Sequence, residues 1–81
     1  MQIKVQFFSQ LRDIAGAAER TLELPEKATV GHALAQLYVQ TPALEKWDRN
    51  ILVGAGVDFV GREHVLQPND QLAIMPPVQG G

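Results

Sequence analysis

Few residues in this sequence are equipped for chemistry. It contains no cysteine, so it can form no disulfide, no thiolate-ligated zinc or iron–sulfur site and no thiol nucleophile. Its two histidines, His32 and His64, are too few for most histidine-based metal sites, and each reads as an ordinary polar position. Arg12 reads as a solvated or locally paired surface charge. Lys46-Trp47 and Val60-Gly61-Arg62 are too isolated to define an anion site. No side chain is assigned a catalytic role. The unusual segment is the last one, Pro76-Pro77-Val78-Gln79-Gly80-Gly81. Its prolines cannot extend a strand ladder and its final two residues lack side chains, which predicts a projecting tail.

A tail needs a body to carry it, and 81 residues suffice for one small domain with one core. At 46% hydrophobic and 20% charged residues the composition is that of a folded globular chain. Seven basic against nine acidic residues leave a net charge of −2, with no basic run for a phosphate backbone, so nucleic acid is not an expected partner. The opening MQIKVQFFSQ alternates polar and apolar residues, unlike a signal peptide or membrane span. A cytoplasmic location and no membrane partner are expected.

The alternation of Ile3, Val5 and Phe7 with Gln2, Lys4 and Gln6 predicts a strand with one buried face. Phe7 and Phe8, as neighbours on it, must point to opposite faces, so one of the two is a candidate to serve a partner. Ser9 is a candidate cap for a helical turn over Gln10 to Ile14, closed by Gly16. Residues 19–24, ERTLEL, predict a second strand that Pro25 ends. Thr29 caps a helix whose Val30, Ala33, Leu34, Leu37 and Tyr38 share one face. With His32 rather than Glu or Gln at its third position, the capping box reads as incomplete. Pro42 ends this helix, and a loose turn in ALEKW docks Trp47. Ile51 to Val53 and Val57 to Val60 predict short strands, with Gly54 and Gly56 flanking the turn between them. Gln67-Pro68-Asn69-Asp70 is a turn signal that launches the last strand, QLAIM. Two strands, a helix and two or three further strands give an α+β class of β-grasp type. The expected form is a mixed sheet of four to five strands with one main helix on one face, a domain over residues 1–75 and an extended tail over 76–81.

The segments VQFFSQLRDIAG at 5–16, LPEKATVGHALAQL at 24–37 and PNDQLAIMPPVQGG at 68–81 resemble the ubiquitin-like sulfur-carrier family, in particular its molybdopterin branch. Gly56 and Asn69 depart from the usual Asn and Gly at those positions, but both residues tolerate positive φ. The resemblance implies that an E1-like adenylating enzyme consumes ATP to activate the carboxyl of Gly81, and that sulfur then replaces the adenylate to give a thiocarboxylate. It also implies that the tail enters the catalytic large subunit of molybdopterin synthase, where sulfur passes to a pterin precursor. The carrier would bind no cofactor and would not be catalytic alone. Pro76, Pro77, Val78, Gln79 and Gly80 would form the inserted tail, with Phe7, Phe59 and Met75 contacting the partner.

Physical reasoning agrees with that role. A carboxylate is a poor electrophile until its oxygen becomes a good leaving group, and a chain without thiols has no side-chain sulfur to lend. Six residues span roughly 20 Å when extended. The prolines stiffen the base of the tail, while the glycines let backbone pass where a Cβ would not fit. Two other roles remain open: a carrier for thiazole or another pathway, and a ubiquitin-like protein modifier or interaction module.

Overall fold

Alternation builds the first strand as expected. In the computed structural model, which describes residues 1–77, β1 (Gln2–Phe7) buries Ile3, Val5 and Phe7 on one face. The short helix α1 (Gln10–Ala15) contributes Leu11 and Ala15 to the core. It ends at Gly16, whose φ of 75° is left-handed and whose N–H donates to the Arg12 carbonyl at 3.0 Å. Ser9 stands at the cap position, but its φ is 53° and its side chain makes no capping bond. β2 (Glu19–Glu23) returns antiparallel to β1 and buries Leu22.

The main helix, α2 (Val30–Gln40), buries Val30, Ala33, Leu34 and Leu37, as the period of its apolar residues requires. Its capping box is complete after all. Thr29 Oγ1 accepts from the His32 N–H at 3.3 Å, while His32 Nδ1 accepts from the Thr29 N–H at 3.0 Å, so an imidazole nitrogen replaces the usual carboxylate or amide oxygen. Removing a Thr cap typically costs about 1 kcal/mol, and in a domain of this size that lowers Tm by about 4–8 °C. Thr29→Ala is expected to show that drop in a thermal melt. His32→Glu, which can make the same return bond and suits the positive end of a helix, is expected to hold or raise Tm. A drop on His32→Glu would mean that the imidazole has a further partner.

Pro42 ends α2, and the loose turn expected after it is a 3-10 segment nine residues long (Pro42–Asn50) that buries Leu44 and packs Trp47 on the core. Such runs rarely persist without support. Arg62 supplies it, donating through Nη2 to the Asp48 carbonyl at 2.6 Å and through Nη1 to the Ile51 carbonyl at 3.3 Å. Nη2 also lies 3.8 Å from Asp48 Oδ1. The Tyr38 hydroxyl donates to Asp48 Oδ1 at 2.5 Å. Burial, and then the bond to the Asp48 carboxylate and its charge, push the Tyr38 phenol well above its ordinary range. A second arginine, Arg20, joins β2 to both helices. It donates to the Ala15 carbonyl at 2.9 Å and to Thr41 Oγ1 at 3.0 Å, and its guanidinium lies 5.7 Å from the Phe7 ring centre.

β3 (Leu52–Ala55) and β4 (Asp58–Val60) form a hairpin whose turn uses Gly56 at a φ of 65°. Gly54, expected to flank that turn, lies inside β3. β5 (Gln71–Met75) follows a turn in which Asn69 adopts a φ of 69° and the Asp70 carboxylate accepts from the Gln67 N–H at 2.8 Å. The sheet order is β2-β1-β5-β3-β4, with β1 and β5 parallel and every other pair antiparallel. First and last strands thus lie side by side, and the inner face of the sheet shares one core with α2. This is the β-grasp fold, a mixed five-stranded sheet with its main helix on one face.

Candidate functional site

The outer face of the sheet, away from α2, divides into two halves. Alternation turns Gln2, Lys4 and Gln6 of β1 outward beside Glu23, Thr21 and Glu19 of β2, a polar half that includes the exposed Lys4–Glu19 ion pair at 3.8 Å. Across β5 the character changes. Leu52 and Gly54 of β3 face outward, opposite Met75 and Ala73 of β5, and Phe59 of β4 lies opposite Gly54. Phe59 is 70% exposed and Val57 fully so. Single exposed apolar residues mean little, but a contiguous group on one sheet face marks an interaction surface.

The shape of this half follows from its small residues. Gly54 and Ala73 have little or no side chain, and together with Gly56, Val57, Asp58, Phe59 and Met75 they line an open cleft. Met75 Cε lies 3.5 Å from where a Cβ on Gly54 would stand. A glycine inside a strand weakens it and often marks a place of close approach. Here it lowers the floor between Phe59 and Met75.

The cleft adjoins the end of β5. β5 is paired on both sides, to β1 and to β3, and its last residue, Met75, pairs with Leu52. Pro76 and Pro77 follow outside any strand and are half-buried. The sheet therefore fixes the point from which the chain leaves the domain, beside the apolar half. The predicted tail residues Val78, Gln79, Gly80 and Gly81 lie outside the described residues.

Of the predicted partner contacts, the structure brings Phe59 and Met75 together on one cleft. It does not bring Phe7 to them. Phe7 is 2% exposed, faces the core opposite Ile74 and lies under the Arg20 guanidinium. Phe7 is therefore a core residue, and the expectation that it contacts a partner is corrected. The exposed phenylalanine is Phe8, at 42%, whose N–H donates to the Ile74 carbonyl at 3.1 Å and so sits at the Met75 end of β5. Phe8 is the alternative to Phe7 that the sequence leaves open, whereas Leu52 and Val57 are not marked by it. Alternation alone could have chosen Phe8 over Phe7, since Phe7 continues the Ile3 and Val5 series.

Among the described residues no group of three or more His, Cys, Asp or Glu side chains could hold a metal ion. No helix among them is long and apolar enough to cross a membrane.

Comparison with known proteins follows the same outline. The model of the ThiS family matches residues 5–81. A molybdopterin synthase sulfur carrier subunit from Chlamydomonas reinhardtii is 35% identical over 83 residues, covering 100% of both chains. One from Escherichia coli (strain K12) is 37% identical over 82 residues, covering 98% of this chain and 99% of the other. Among solved structures, the small archaeal modifier protein 1 of H. volcanii superposes with a TM-score of 0.84 at 26% identity, covering 95% of this chain and 98% of that one.

Proposed function

The chain belongs to the ThiS family, and on that premise we propose that it is the sulfur-carrier subunit of molybdopterin synthase, serving molybdenum cofactor biosynthesis. The observation that carries this reading is the full-length likeness to sulfur carrier subunits, which spans domain and tail alike. The carboxyl of Gly81 is the group that carries sulfur. An E1-like partner joins it to the adenylyl group of ATP with release of pyrophosphate, and sulfur from a donor then displaces AMP to leave a thiocarboxylate. The chain is not catalytic alone. Its own residues present the tail: β5 holds the root, Pro76 and Pro77 stiffen it, and the face formed by Phe8, Leu52, Phe59 and Met75 docks on the large subunit, whose active site receives the tip.

Intact-mass measurement tests this reading. Protein isolated from cells making the cofactor is expected to contain a fraction heavier by the difference between sulfur and oxygen, located in the C-terminal peptide and lost on mild hydrolysis. If only the carboxylate form is found, the carrier reading fails.

The likeness to the small archaeal modifier protein favours a second reading, attachment of the same activated carboxyl to lysines of other proteins. Isopeptide-linked conjugates of this chain in its host would support it.

A further inference from the structure

The geometry points to Met75 as a site of reversible thioether oxidation that turns docking off, an inference that rests on the docking face proposed above. The sequence contains two methionines and no cysteine. The Met1 side chain is 3% exposed and packs on the core. Met75 is only partly covered, at the end of β5 and on the wall of the open cleft. Met1 also borders an open surface pocket, but its side chain is the more covered of the two, so a peroxide in solution has readier access to Met75.

The step needs a peroxide as oxidant and nothing from the protein beyond access. A lone pair on the Met75 sulfur attacks one oxygen of hydrogen peroxide, an S–O bond forms and the O–O bond breaks, and the departing hydroxide takes the proton of the transferred oxygen and leaves as water. The thioether loses two electrons and the peroxide gains them. The product is a sulfoxide, polar and a strong hydrogen-bond acceptor, where the apolar face had a methyl thioether. Against a partner surface that matches an apolar group, that oxygen is desolvated without a donor, which weakens docking by about tenfold or more. Methionine sulfoxide reductases reverse the change. Docking covers Met75, so the undocked carrier is the form that reacts, and an oxidised carrier is held back with its tail intact.

The test uses the full chain in its carboxylate form, so that the two thioethers are the only sulfurs present. The protein is treated with hydrogen peroxide, oxidation is followed by peptide mapping, and affinity for the large subunit is measured by calorimetry before treatment, after it, and after a methionine sulfoxide reductase. Met75 is expected to oxidise well ahead of Met1, affinity to fall about tenfold or more with Tm unchanged, and reduction to restore it. Equal rates at the two methionines, unchanged affinity, or a loss of affinity that tracks a lowered Tm would each overturn the inference. Should Met75→Asp weaken docking while the sulfoxide does not, only the oxidation inference falls. Should neither change alter affinity, the docking face itself has been misassigned.

Discussion

Deletion of Gly81 is expected to abolish sulfur transfer while leaving the fold untouched. Among the described residues the last ladder pairing of β5 is at Met75, and Gly81 is six residues further along the chain, so none of the described pairings involves it. The change in stability should stay within about 0.5 kcal/mol, as for surface substitutions generally. The carboxyl, however, would retreat by about 3.5 Å from where the proposed adenylation and transfer act on it, and a misplacement of even 1 Å can cost about 100-fold in rate. Adding one residue errs in the other direction by overfilling the same pocket. Thermal melts and single-turnover transfer assays on the wild type, the deletion and a one-residue extension check this. Wild-type transfer by either variant would remove the terminal carboxyl from the mechanism.

The second large effect is expected at the docking face. Met75→Asp places a carboxylate on an apolar surface that must lose its water on assembly. Truncating a desolvated anchor costs about 2 kcal/mol or more, and an unpaired buried charge adds to that, so affinity for the large subunit should fall by at least about 30-fold. Gly54→Val probes the same face without adding charge. A Cβ there would meet Met75 Cε at 3.5 Å, the Ala73 Cβ at 3.7 Å and the Asp58 carbonyl at 3.8 Å, all ordinary contacts. A β-branched residue also suits a strand better than glycine, so Tm should hold or rise. Its methyl groups would nonetheless fill the cleft between Phe59 and Met75. Affinity measured by calorimetry should fall for both variants. Unchanged affinity in both, with folding verified, would place the docking surface elsewhere.

Much of this architecture is legible in the residues themselves. Period-two burial in β1 and β5, the apolar stripe of α2 and the turn at Asn69 each follow from local chemistry that tertiary packing did not override. Some of the differences originate in long-range partners and others in local chemistry of an unusual kind. Whether the 3-10 segment forms depends on Arg62, which donates to carbonyls more than ten positions earlier in the chain, and nothing local to Pro42–Asn50 announces that. The capping box escaped notice because an imidazole nitrogen accepts where a carboxylate was sought. Gly54 reads as flanking a turn because Gly56 stands two positions on, and only the register with Ala73 and Phe59 shows it as the floor of a cleft. The apolar face proposed for docking is half visible in the sequence. Phe59 and Met75 can be named, but Leu52 depends on which side of β3 faces α2, and Val57 stands in the turn between β3 and β4.

The parallel pairing of β1 with β5 also sets the order in which the molecule can be made. Lys4 to Phe7 lie beside Gln71 to Ile74, so the centre of the sheet joins segments nearly a full chain length apart. High-separation contacts of this kind carry a loop-closure cost before they return any stability, which slows folding relative to chains dominated by local contacts. Leu72 and Ile74, each 1% exposed, complete the core from that strand. During synthesis, β1, β2 and α2 emerge early but have no finished sheet to pack on until residues 71–75 follow them. A nascent or truncated chain that lacks this strand leaves its apolar residues uncovered and open to proteolysis or aggregation. Any carrier that survives as a folded molecule therefore already holds the strand from which its tail departs.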